Sequence, residues 1–146
     1  LPGRIVSRPE DTLILLDDSL SPFIADALSL VGYNATSTRN VFDNRQGVTD
    51  REIIEWAGAS NAVWVYADDK PKRESAKTVL SEGVRTLWVY RPRGGISARE
   101  QLAIVSYLLP DLLDRLSKPN SDTHYRMDAL GGFPRPRYSL RAYELE

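Results

Sequence analysis

Three short apolar runs recur along this chain: Thr12–Leu16 (Thr-Leu-Ile-Leu-Leu), Ala62–Tyr66 (Ala-Val-Trp-Val-Tyr) and Arg85–Tyr90 (Arg-Thr-Leu-Trp-Val-Tyr). Each is too short for a helix and lacks the apolar–polar alternation of a strand with one wet face, so each reads as a strand buried on both faces. Stretches of helical length separate them. Buried strands joined by helical connections build right-handed βαβ units, which predicts an α/β chain: a three-layer α/β/α fold with a mainly parallel sheet.

The connections carry their own punctuation. Ser21 and Pro22 suit the N-cap and first position of a helix running to Val31, with Phe23, Ala27, Leu30 and Val31 as its apolar positions and Gly32 as its stop. Tyr33–Ser37 reads as a short strand, and the polar stretch Thr38–Val48 as a surface loop. Thr49-Asp50-Arg51-Glu52 has the capping-box pattern ahead of Ile53, Ile54, Trp56 and Ala57. A last helix, Ser97 to Lys118, opens on a second capping box (Ser97, Glu100) and is expected to bend or break near Pro110. The core domain is therefore set at residues 1–118, and 119–146, rich in turn formers, as an irregular tail. In that tail Phe133, Tyr138 and the run Arg135 to Arg141 read equally as a partner or dimer contact and as loosely held chain.

Composition narrows the chemistry. A chain of 146 residues suffices for one domain with a sizeable core. With no Cys and the single His124, disulfides, thiol nucleophiles, Cys-bound zinc and multi-histidine metal sites are excluded, so any metal must be held by carboxylates. No apolar run approaches the length of a membrane span, and Leu1-Pro2-Gly3-Arg4 lacks the layout of a signal peptide, which predicts a cytoplasmic protein with no membrane segment. The net charge of −1 hides a division: residues 1–69 carry 5 basic and 11 acidic groups, whereas 70–99 carry 8 basic and 2 acidic. A negative site beside a positive rim suits an enzyme acting on a polyanion.

Asp17-Asp18 and Asp68-Asp69 each follow the last residue of a buried run. In open parallel sheets ligands bind outside the carboxyl ends of the strands, so both pairs are expected in one cleft, with Asp50 at the head of the capped helix on the same edge. Singly, each acid also serves as a turn former or helix cap. Converging carboxylates repel one another unless a cation neutralises them, and hard oxygen ligands favour Mg²⁺ or Mn²⁺. The implied chemistry is metal-assisted attack on phosphate.

Three segments carry a family resemblance: Leu16-Asp17-Asp18-Ser19-Leu20-Ser21-Pro22 with Gly32-Tyr33 downstream, Gly47-Val48-Thr49-Asp50-Arg51-Glu52-Ile53-Ile54-Glu55-Trp56-Ala57, and Val63-Trp64-Val65-Tyr66-Ala67-Asp68-Asp69. Together, over about residues 12 to 116, they resemble the PIN-like domains, and within them the toxin ribonucleases of VapC type. The resemblance implies a Mg²⁺- or Mn²⁺-dependent ribonuclease held inactive by a cognate antitoxin. It makes Asp17, Asp50 and Asp68 the metal ligands, with Asp69 a further catalytic candidate and Asp18 and Glu52 behind them. Tyr66 departs from the Thr or Ser usual in that branch near the last acid. Lys70, Lys72, Arg73, Arg91 and Arg93 become the contacts to the RNA backbone, while Lys77 and Arg85 read as solvated surface. Trp64 and Trp88 are expected in the core; Tyr66 and Tyr90 are expected to pack there too, or to stack on a base. His124 reads as incidental, and a homodimer is expected from the resemblance alone.

Two other classes fit part of the pattern. A receiver-type phosphoacceptor domain also pairs acids after its first strand, although Asp68-Asp69-Lys70-Pro71 and Tyr90-Arg91-Pro92 match it poorly. A non-catalytic module that binds RNA or a protein would keep the same acids as structural caps.

Overall fold

The computed structural model describes residues 11–67, 74–90, 96–130 and 137–145, with Leu130 described by its backbone. Among them are six strands, β1 (Ile14–Leu16), β2 (Ala35–Ser37), β3 (Val63–Tyr66), β4 (Arg85–Val89), β5 (His124–Leu130) and β6 (Arg137–Ala142). Five helices accompany them: α1 (Phe23–Leu30), α2 (Thr38–Val41), α3 (Asp50–Ala59), α4 (Ala76–Glu82) and α5 (Ala98–Leu116). The strands form one sheet in the order β2-β1-β3-β4-β5-β6, parallel throughout except for the antiparallel β5–β6 pair.

Successive side chains of a strand face opposite sides, so this sheet has two cores. On one side Ile14, Leu16, Val63, Val65, Leu87 and Val89 meet Ile24 and Leu28 of α1 and Ile104, Val105, Leu108 and Leu112 of α5. On the other, Leu15, Trp64, Tyr66 and Trp88 meet Ile53, Ile54 and Ala57 of α3 and Val79 of α4. The fold is thus the expected three-layer α/β/α. Gly58 lets α3 approach α4 closely, since a Cβ there would stand 2.9 Å from the Glu82 carbonyl oxygen.

The capping box of α3 forms in full, with the Thr49 hydroxyl accepting from Glu52 N and the Glu52 carboxylate accepting from Thr49 N. At α5 only the Ser97 half forms. That helix is not broken at Pro110: one intrahelical bond is lost, but Leu108, Leu109, Leu112 and Leu113 on either side are held in the core.

Three further expectations are corrected. The buried stripe of α1 is Ile24, Ala25 and Leu28, while Phe23, Leu30 and Val31 are 72%, 87% and 74% exposed. Two apolar stripes share this helix at helical spacing, and the fit against β1 and α5 selects the one that faces inward. The stretch Thr38–Val48 opens with the short helix α2, capped by the Ser37 hydroxyl accepting from Asn40 N. Most importantly, the stretch read as an irregular tail completes the sheet. Its Tyr125, Met127 and Leu140 belong to the first core, with Tyr138 packed against it. Phe133 and Arg135 lie outside the described residues.

Candidate functional site

The parallel strands β1, β3 and β4 end together at one edge of the sheet, and the candidate residues that can be placed gather there. Asp17 N donates to the Val65 carbonyl at 2.9 Å, extending the β1–β3 ladder one residue beyond Leu16. Alternation then puts the Asp17 side chain on the face of Leu15, Trp64 and Tyr66. Ser19 donates twice to Asp17 Oδ2, from its backbone N at 3.0 Å and from its hydroxyl at 2.7 Å. The same hydroxyl accepts from Ala67 N at 2.9 Å. One serine thereby ties the ends of β1 and β3 together and orients the carboxylate between them.

Burial holds the Asp17 carboxyl above its ordinary value, against the lowering effect of the two Ser19 bonds and of Trp64. The Trp64 indole N–H is close enough to favour the charged form, yet it is buried outside hydrogen-bonding geometry. No described Lys or Arg pairs with Asp17. Its Oδ1 accepts no hydrogen bond from a described residue, which leaves a hard oxygen donor on a half-buried carboxylate with no described cation beside it. Such a donor fits a divalent cation.

Next to it, Asp18 Oδ1 accepts from the Thr38 hydroxyl at 2.8 Å. Asp18 and Thr38 open a cleft of about 420 Å³ whose far wall is formed by Arg39, Phe42, Arg45 and Val48. The loop behind that wall turns through Asp43 and Asn44, both at positive φ, and Gly47 at φ 74. It delivers the chain to Asp50, the first residue of α3, where the helix dipole favours negative charge. The cleft therefore joins the end of β1, at Asp18, to the approach to α3, at Val48 and Ile53; Asp17 and Asp50 are not among its lining residues. Glu52 is occupied otherwise: Oε2 caps α3 and Oε1 pairs with Arg45 at 2.6 Å, which holds its carboxyl below the ordinary value.

Asp68, Asp69, Lys70, Lys72, Arg73, Arg91 and Arg93 lie outside the described residues. Among the described residues no group of three His, Asp or Glu side chains could hold a metal ion; the ligand set read from the sequence includes Asp68. Arg85 is at the opposite edge, donating to the carbonyl and Oδ1 of Asn61, and Lys77 is exposed on α4. Trp64 and Trp88 are core residues as expected, and so is Tyr66, whose hydroxyl is hydrogen-bonded to that of Tyr143 at 2.7 Å. Tyr90 is 42% exposed. His124, read as incidental rather than as a general base, has a structural place: it opens β5, is buried, and shares a 3.0 Å hydrogen bond with the Thr86 hydroxyl. Sequence reasoning missed Ser19 and Thr38 as organisers of the acidic edge. The signal for Ser19 was its place two residues after an aspartate in a turn, where a hydroxyl bonds back to the carboxylate.

Comparison with known proteins finds no family model, no curated protein and no solved structure that matches the chain. Among the described residues no helix is long and apolar enough to cross a membrane.

Proposed function

We propose that this chain is a PIN-like endoribonuclease that uses Mg²⁺ or Mn²⁺ to hydrolyse RNA phosphodiester bonds. In this reading it acts in the cytoplasm as the toxin of a type II toxin–antitoxin pair and is silenced by its cognate antitoxin. The observation that carries the reading is Asp17: a half-buried carboxylate at the carboxyl edge of a parallel sheet, oriented by Ser19 and left without a described cation. Asp17, Asp50 and Asp68 would hold the metal, with Asp69 a further catalytic candidate. When bound, a divalent cation supplies Lewis-acid charge for the attack of water on the phosphate. Ser19 keeps Asp17 in one orientation, so that little reorganisation is needed when substrate arrives. Lys70, Lys72, Arg73, Arg91 and Arg93 engage the RNA backbone without sequence choice.

The test is cleavage of a labelled, mixed-sequence single-stranded RNA in Mg²⁺, Mn²⁺ or EDTA. The wild type is expected to cleave only with metal, and Asp17→Asn and Asp68→Asn to lose activity by on the order of 100-fold or more. Folded wild-type protein that cleaves nothing with either metal would overturn the reading in favour of a non-catalytic module that binds RNA or a protein.

A further inference from the structure

Beyond the three buried strands, the sheet continues as a surface. On β5 and β6, Tyr125, Met127, Tyr138 and Leu140 face the α1–α5 core, so Arg126, Asp128, Arg137, Ser139 and Arg141 face the opposite side. There Arg137, Ser139 and Arg141 are exposed or partly exposed, as are Arg126 and Asp128. The charged residues of the two strands all lie on this one face, three arginines against one aspartate.

Three of these charges are linked to one another. Asp128 accepts from Arg126 Nε and Nη2 at 3.0 and 2.7 Å, and Arg141 Nε reaches its other oxygen at 2.6 Å. The Arg126 guanidinium lies 5.4 Å from the ring centroids of both Trp88 and Tyr90. Those rings meet edge to face at 5.5 Å, and Tyr90 keeps much of its surface in solvent. The register sets Arg126 beside Trp88 and Trp88 beside Tyr66. Asp17 continues that row on the same face, two strand spacings from β4, or roughly 10 Å.

We propose that this face of β4, β5 and β6 is a binding platform for single-stranded RNA, a base stacking on Tyr90 while Arg137 and Arg141 engage phosphates. A surface combining an aromatic ring with guanidinium groups suits unpaired bases on a polyanionic backbone, and the excess of three arginines over one aspartate attracts that backbone. The platform rests on the endoribonuclease reading for its purpose, since it would lead a strand toward Asp17, but not for its binding.

The experiment titrates a fluorescent single-stranded RNA 20-mer, in EDTA, against the full chain at several salt concentrations. The double variant Arg137→Gln/Arg141→Gln is expected to flatten the slope of log affinity against log salt by about 1.4, or about 0.7 for each phosphate no longer neutralised. Lysines at the same two positions should restore it. Tyr90→Ala should weaken binding by about fivefold or more with an unchanged slope, and Arg99→Gln, on α5 behind the other face, should alter neither. Absence of binding by folded protein, or binding indifferent to all three platform substitutions, would overturn the proposal and leave this face to a protein partner. Binding that follows the expected pattern in a protein that never cleaves RNA would sustain the platform while defeating the nuclease.

Discussion

Asp17 carries opposed demands in a single side chain. Because burial raises its carboxyl above the ordinary 3.8, protonated Asp17 favours the fold. That contribution is whole below pH 3.8 and is lost as the pH rises through the raised value, so the ionised group is a standing cost at neutral pH. Asp17→Asn should therefore stabilise the metal-free protein at pH 7 by on the order of 1 kcal/mol, or roughly 3 °C in Tm. Its advantage should shrink toward pH 4, where the wild-type carboxyl takes up its proton; thermal melts across that range check both sign and trend. A residue that weakens the fold where it stands is the kind retained for function. The sequence made Asp17 legible through its place after an unbroken apolar run. Ser19 was harder to see, because its hydroxyl acts between β1 and β3 and nothing local announces the Ala67 N–H it accepts from.

Among the elements, β1 and β3 were legible because strands buried on both faces leave no polar residue to confuse the pattern, and β4 because its polar Arg85 and Thr86 stand at its start, ahead of Leu87, Trp88 and Val89. β5 and β6 were not, although both alternate strictly: Tyr125, Met127 and Ala129 against His124, Arg126 and Asp128, then Tyr138, Leu140 and Ala142 against Arg137, Ser139 and Arg141. Period two is the mark of a strand with one wet face; here turn formers before β5 and between the two strands obscured it. A chain ended after Lys118 should not fold, because it strips β4 of its neighbour and removes Tyr125, Met127 and Leu140 from the core. Each such side chain contributes roughly 1.5 to 3 kcal/mol, so the loss rivals the whole stability of about 5 to 15 kcal/mol of an ordinary domain. Circular dichroism of the truncated chain should show neither a cooperative melt nor native helix content.

For the molecule as a whole, the proposed function makes a divalent cation a ligand of the native state alone, whose binding should appear in the unfolding equilibrium. Mn²⁺ at about a hundred times its dissociation constant should stabilise the wild type by about 2.7 kcal/mol. The same addition should leave the Tm of Asp17→Asn nearly unchanged, a contrast that scanning calorimetry reads without any RNA present. The order of the strands has a further consequence, in time rather than in space. Leu140 seals the same core as Ile14, and Tyr143 closes over Trp88 while bonding the Tyr66 hydroxyl. Synthesis proceeds from the N-terminal end, and domains fold as their parts become available. A ribosome that has made the acidic edge, α3 and even α5 of this chain still holds a half-built sheet, and the fold closes only once the stretch through Tyr143 is free to dock. If the chain is a toxin, its own folding delays its activity until the stretch through Tyr143 has been made.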